Sequence, residues 1–394
     1  MAVTKLTNTQ IQDLVNQAYR QATGSEDVTN VMDLSQFSDT GVEDVLALRE
    51  RFTGALIGII TKNWFLDSSY RSSYIDPFFE DSAQFGAIVQ AISATVPEVK
   101  ENSAWNTFTN GVTKVGQYTV YLPVVETMYY AKTESWALPI TITGEQWDSA
   151  FESEAKLSDF VSYIFMMVDN AIVQHIEDLN NANRNHFIAE KIDYATKNPT
   201  TGIHVVDLVK AYAMDRGLTT NYTVEEFLSN ADPLRFAIEQ LNLYKGYIQK
   251  QTKLFNTEGK VRFTPENRLV VQLLDFFVTR LDTVARSSTF HADMVSLPNY
   301  NTVPSWQSMN KLTFDELSTI NVKIGENTTV GKSGIVGMIC DKWAIVHTIK
   351  SHRVATQRFN IENLTLYEYQ FRDQYINNLA MNAVIFVLAD YTVG

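Results

Sequence analysis

Hydrophobic and polar positions along the 394-residue chain change period several times, and each change marks an element. The longest helical stripe lies at about 149–196. It carries Phe160, Ile164, Val168, Ile172, Ile176, Leu179, Phe187 and Ile192 and contains neither Pro nor Gly. Asp148 or Ser149 can cap its start, and Asn198-Pro199 stops it. At about 1.5 Å per residue such a helix spans roughly 65 to 70 Å, more than a small domain is wide. Asn180, Asn181, Asn183 and Asn185 mark where it is expected to bend or break.

Upstream, the pattern predicts a short helix over 8–22, capped by Thr7 or Asn8 and closed by Gly24. A polar extended arm follows over 25–40. A second helix over 39–64 carries Val42, Val45, Leu46, Phe52, Leu56 and Ile59 on one face, weakened by Gly54 and Gly58. Residues 67–104 mix short elements. After the turn signal Asn110-Gly111 the period falls to two. The runs at 115–126 and 136–144 are rich in β-branched and aromatic residues, and Pro123 and Pro139 confine each strand to an edge. They predict a β-hairpin within 105–146, with a loop near 129–135. A lone two-stranded hairpin is marginal in water. No sequence-adjacent strand is available to it, so it is expected to need a surface from elsewhere, a neighbouring copy being one candidate.

Residues 204–340 read as mixed α/β. Asp232 and Pro233 open a helix that is expected to reach about 255. A buried strand is predicted over 268–275, a helix over 276–288, and strands over 320–324, 334–340 and 343–349. The closing runs at 363–375 and 381–391 read as consecutive strands, with antiparallel pairing expected.

Composition then narrows the chemistry. The net charge is −13, from 45 acidic and 32 basic residues. A general nucleic-acid binder needs a net basic face to displace counterions, so that class is disfavoured. The single cysteine, Cys340, excludes an intrachain disulfide and any multi-cysteine zinc site, and reads as a small buried side chain. The N-terminus lacks the apolar core of a signal peptide. The apolar stretch at 52–65 is interrupted and falls short of the roughly 20 residues a membrane span needs.

Candidate sites fail one by one. Residues 325–334 resemble a phosphate loop, yet Gly331-Lys332-Ser333 would require Gly where Glu326 stands, and the following run is strand-like. A turn between strands is the expectation. None of His175, His186, His204, His291, His347 and His352 sits in a zinc-binding pattern, and His186 with Glu190 is too small a ligand set. His175 is expected at the core edge. The basic runs Lys245, Lys250, Lys253, Lys260, Arg262, Arg268 and Lys342, Lys350, His352, Arg353, Arg358 read as solvated faces, which in an assembly could pair with the acidic surplus on a neighbour. No nucleophile elbow or dinucleotide fingerprint is present. The glycosylation patterns at Asn221, Asn327 and Asn363 read as chance matches. No catalytic, cofactor-binding or metal-ligating residue is therefore expected.

The C-terminal runs ICDKWAIVHTIKSHRVATQRF at 339–359 and LYEYQFRDQYINNLAMNAVIFVL at 366–388 carry a resemblance. An acidic-Lys-aromatic turn, a strand, a basic stretch, an aromatic strand and a final NAVIFV strand occur in that order. The chain resembles the major capsid proteins of small short-tailed phages of Gram-positive bacteria, a family with the Hong Kong 97-like capsid fold.

The resemblance implies an α+β fold with a long spine helix, an extended E-loop hairpin, a peripheral domain and an axial domain. It assigns 1–75 to the N-terminal arm region, 76–104 to a connecting segment and 105–146 to the E-loop. It assigns 147–200 to the peripheral domain with the spine helix, 201–340 to the axial domain, and 341–394 to return strands of the peripheral domain. The implied function is a head protein that self-assembles as pentamers and hexamers into an icosahedral shell around double-stranded DNA. It would be assembled in the host bacterial cytoplasm, reside in the virion and have no enzymatic role. The implied partners are other copies of itself and a portal at one vertex. A scaffolding protein during assembly is left open, and neither sequence-specific DNA binding nor a membrane is expected. An immunoglobulin-like C-terminal domain, an internal scaffolding segment and a Lys–Asn cross-link, found in some relatives, are not expected here. The competing readings are a portal or tail component, distinguished by copy number, and an NTPase, opposed by the defective phosphate loop.

Overall fold

A computed structural model describes residues 78, 89–94, 125–130, 133–143, 154–286, 299–306, 317–325, 328–359 and 364–393. The predicted helices over 8–22 and 39–64, the arm over 25–40 and strand residues 115–124 lie outside the described residues. Two compact units emerge. The first comprises described residues 133–143, 154–180, 349–359 and 364–374, and the second holds the rest.

In the first unit, β3 (Glu134–Thr143), β10 (Ile345–Phe359) and β11 (Leu364–Asn377) form a sheet in the order β10-β11-β3. β3 runs antiparallel to β11, with Trp136 opposite Phe371, Leu138 opposite Tyr369 and Ile140 opposite Tyr367. Ile140, Tyr367, Tyr369 and Phe371 are buried, while Ser135, Ala137, Pro139 and Thr141 are exposed. This alternation is what a sheet with one packed face requires. Pro139, which has no N–H to donate, sits on the outer strand of the described sheet, as expected.

The pairing corrects the hairpin expectation. The 136–144 run does not need a neighbour to supply its surface, because its described partner is this chain's own β11. The other predicted arm contributes Val125 and Glu126 to β2 (Val125–Tyr130), which pairs antiparallel with β1 (Val89–Ala94). Of the predicted loop near 129–135, Tyr129 and Tyr130 belong to β2, Glu134 and Ser135 belong to β3, and 131–132 lie outside the described residues.

Helix α1 (Glu154–Lys197) runs unbroken for 44 residues, about 66 Å at the standard rise. The Asn-rich stretch does not break it into separate helices. It ends as predicted, with the Asn198 N–H and side-chain amide both donating to the Tyr194 carbonyl.

The second unit is built on a five-stranded sheet in the order β4-β12-β9-β5-β6. These strands are β4 (Val205–Asp207), β5 (Leu269–Leu274), β6 (Asn301–Val303), β9 (Ile335–Asp341) and β12 (Ala383–Val387). β9 lies antiparallel to both β12 and β5, and every residue of β9 and β12 is buried. Their unbroken apolar runs reflect layers on both faces. Helices α2 (Leu208–Asp215), α3 (Val224–Ser229), α4 (Ala231–Ile248) and α5 (Asp275–Arg280) accompany the sheet. Phe187, Leu241, Phe277, Trp306 and Phe386 are fully buried in one continuous core. β7 (Ile320–Ile324) and β8 (Thr328–Lys332) form a separate antiparallel pair.

Three expectations shift. The cap of α4 is Asn230, and Asp232 lies inside the first turn, where it accepts from the Tyr212 hydroxyl at 2.9 Å and Arg216 at 3.3 Å. α4 stops at Ile248 rather than near 255, because Phe255 turns into the core and its carbonyl accepts the Ala383 N–H at 3.0 Å. The closing strands also part company. β10 and β11 are neighbours, but β12 joins the five-stranded sheet instead of β11.

Candidate functional site

The most constrained polar chemistry of the second unit lies on α1 after Asn181. Phe187, Ile188 and Ile192 anchor this face in the core. Along the same stretch stand buried Arg184, Asn185 and Lys191 and half-buried Tyr194, each aimed at a backbone carbonyl of another segment. The Arg184 guanidinium donates to the Ser305 carbonyl at 3.5 Å and to the Asn181 side chain at 2.7 Å, and lies 4.9 Å over the Trp306 ring. The Asn185 amide donates to the Trp306 carbonyl. Lys191 donates to the Phe255 carbonyl at 2.9 Å and the Leu379 carbonyl at 3.4 Å, and the Tyr194 hydroxyl reaches the Thr257 carbonyl at 2.8 Å. Loop carbonyls removed from water must find donors, and one helix supplies them. The helix thus fastens segments near 255, 305 and 379 in fixed register.

Burial sets the charge state of this row. It pulls the Lys191 ammonium down to about 7, and it pulls His204 down to about 4, helped by the positive charge of Lys191. His204 Nε2 donates to the Thr201 carbonyl at 2.9 Å. The Cys340 thiol is pushed well above its usual range by burial and by Asp341, so it is no nucleophile near neutrality. The arrangement holds backbone in place; it does not present a reactive group to solvent.

A second polar knot sits in the acidic-Lys-aromatic turn. Asp341 closes β9 and caps the one-turn helix Lys342–Ala344 by accepting from the Trp343 N–H at 3.0 Å. Its buried carboxylate also takes the Thr264 hydroxyl at 3.1 Å and two guanidinium nitrogens of Arg268, the closest contacts being 2.8 Å. Such a fork is the geometry Arg offers and Lys does not.

The other singled-out residues fall as follows. The phosphate-loop lookalike is largely strand: Thr328–Lys332 form β8, with Gly325 at φ 65 after β7 and Gly334 at φ 76 before β9. His175 packs its ring 4.5 Å from Trp136, and His347 stacks on Tyr375 at 4.6 Å. His186 and Glu190 form a pair at 3.5 Å. Among the described residues no group of three or more His, Cys, Asp or Glu could hold a metal ion. Among the described residues no helix is long and apolar enough to cross a membrane.

Of the first basic run, Lys245 pairs with Glu266, Lys260 and Arg262 with Glu258, and Arg268 with Asp341, while Lys250 and Lys253 are exposed. Sequence reasoning missed Lys191 and Arg184. The signal was available, since Lys191 shares a helical face with Ile188 and Phe187, and a charged residue inside an apolar stripe must find buried partners.

The chain resembles solved phage capsid structures. Over 79% of its length it matches 82% of a chain in the capsid structure of Staphylococcus phage Andhra, with 9% identity and a TM-score of 0.46. Over 82% it matches 89% of a chain from the mature capsid of bacteriophage PhiM1, with 11% identity and a TM-score of 0.43. Over 82% it matches 90% of a chain in the capsid structure of cyanophage P-SCSP1u, with 12% identity and a TM-score of 0.42. No curated protein matches it. The family model for the Phi29-like phage major capsid protein matches residues 9–387. With nearly its whole length so matched, the chain belongs to the Phi29-like phage major capsid protein family.

Proposed function

We propose that this major capsid protein has the Hong Kong 97-like fold and self-assembles as pentamers and hexamers into an icosahedral virion shell around double-stranded DNA. The observation that carries the reading is the family match over residues 9–387. The 44-residue α1 suits the part of a spine helix, because its polar side chains lock loop segments to one strut. In this reading residues 1–75 are the N-terminal arm, 76–104 a connecting segment and 105–146 the E-loop. Residues 147–200 belong to the peripheral domain, 201–340 form the axial domain and 341–394 return to the peripheral domain. The pairing of β3 with β11 then serves as the root of the E-loop, tying it to its own subunit before it reaches another.

The role is structural rather than catalytic, and the partners are further copies of the chain, a portal at one vertex and any scaffolding protein used during assembly. The net charge of −13 would limit sticking of packaged DNA to the wall. Subunit counting in purified virions tests the reading. A coat is present in on the order of hundreds of copies, and a portal ring in about a dozen. The higher count supports the proposal, and the lower one refutes it.

A further inference from the structure

His186 stands on α1 with its side chain 37% exposed, so its protons exchange with water. Two groups of opposite demand meet the same ring nitrogen. The Asn377 amide nitrogen, at the end of β11, lies 3.4 Å from Nδ1. Glu190, one helical turn on, sets a carboxylate oxygen 3.5 Å from it. Nδ1 carries either a lone pair or a proton. With a lone pair it accepts from the Asn377 amide and stands against the carboxylate oxygen. With a proton it donates to Glu190 and stands against the amide hydrogens. No single protonation state satisfies both neighbours.

Asn377 cannot evade the choice by turning over. The same amide nitrogen donates to the Asn183 carbonyl at 3.3 Å. Reversing the amide would set its oxygen against that carbonyl, so the end facing His186 is fixed. Glu190 is the charged group against the ring on α1, and β11 sets the neutral Asn377 amide against it. Tyr375, two residues back on β11, stacks on His347. The backbone beyond Asn377 is held independently. The Asn378 N–H donates to the Ala344 carbonyl at 2.8 Å, and the Leu379 carbonyl accepts from Lys191.

We propose that His186 is a proton-operated toggle between two bonds: neutral, it ties α1 to the end of β11 through Asn377, and protonated, it donates to Glu190 on its own helix and drops β11. Acid therefore loosens one cross-link between the helix and the strand while the Leu379 turn stays docked. The change falls within about pH 5 to 8, where imidazoles titrate. All of these contacts lie within the second unit, and the toggle operates whether or not the chain forms a coat.

NMR of the full-length chain with isotope-labelled histidine and asparagine tests it, His186→Gln identifying the ring signal. Above the midpoint the wild-type ring is expected to carry its lone pair on Nδ1, and the Asn377 side-chain amide signal to move with the same midpoint. Glu190→Gln removes the anion that favours the proton and is expected to lower the midpoint by about half a pH unit. Asn377→Ala removes the donor that favours the lone pair and is expected to raise it by a similar amount. Unchanged signals from the other histidines show that a variant is folded. If Asn377→Ala fails to fold, Asn377→Asp keeps the shape and replaces the donor by an acceptor, and is expected to raise the midpoint by about one pH unit or more. A midpoint that fails to move in these opposite directions, or a neutral wild-type ring with its proton on Nδ1, overturns the toggle.

Discussion

Trp136 stacks on Phe371 with ring centroids 3.9 Å apart and planes 13° from parallel, joining strands from distant parts of the chain. The indole N–H of Trp136 also donates to Asp373 at 2.8 Å. One side chain therefore contributes both apolar cover and a charge-assisted hydrogen bond to the β3–β11 pairing. Trp136→Ala is expected to destabilise by about 3 kcal/mol, and Trp136→Phe, which keeps a ring but loses the donor, by about 1 kcal/mol. Denaturant unfolding of the subunit measures both, and a Trp136→Phe variant as stable as the wild type would show that the hydrogen bond contributes nothing.

Arg268 and Asp341 should behave as an asymmetric pair. Removing Arg268 strips a buried carboxylate of its fork while Thr264 and the Trp343 N–H remain. Arg268→Ala is expected to cost about 2 to 4 kcal/mol, and Arg268→Lys roughly half of that, since an ammonium cannot make both bonds. Urea midpoints of the two variants check the order.

The glycines of two neighbouring turns should respond differently. Gly334 has φ 76, and a Cβ there would lie 2.0 Å from the Leu388 carbonyl oxygen. Gly325 has φ 65 with nothing within 4 Å. Gly325→Ala is expected to cost about 1 kcal/mol from backbone conformation alone. Gly334→Ala should cost about 3 kcal/mol or more, because backbone must move. Thermal unfolding distinguishes them.

Stability should rise with pH in two windows. His204, lowered to about 4, resists protonation when folded, so the unfolded state binds the extra proton between about 4 and 6.5. Its contribution is complete above that window and is lost as pH falls through it. Lys191, lowered to about 7, does the same between about 7 and its ordinary value near 10.5. The buried ammonium is thus a cost below about 7 that is relieved at higher pH. His204→Gln should flatten the lower window and Lys191→Met the upper one, read as denaturant midpoint against pH.

Local signals were legible in the sequence, and long-range ones were not. The stripe from Phe160 to Ile192 predicts α1, and the β-branched run at 136–144 predicts β3, because period and side-chain type act within a few residues. The partner of β3 was hidden, since pairing Trp136 with Phe371 depends on bringing together segments that no local pattern links. The Asn-rich stretch misled for the same reason. Asn185 and Arg184 find acceptors at Ser305 and Trp306, so residues that weaken an isolated helix here fasten it. The end of α4 was overextended because Phe255 fits a helical stripe, while its carbonyl is claimed by Ala383 and Lys191. Surface neighbourhoods were not legible, because they depend on tertiary placement: Phe263 comes to the end of α4 through the Thr264 N–H reaching the Ile248 carbonyl.

Electron microscopy of the purified protein under assembly conditions tests the central claim most directly. The account predicts closed shells whose subunits gather in rings of five and six. A homogeneous population of single compact subunits that never forms rings or shells would contradict it.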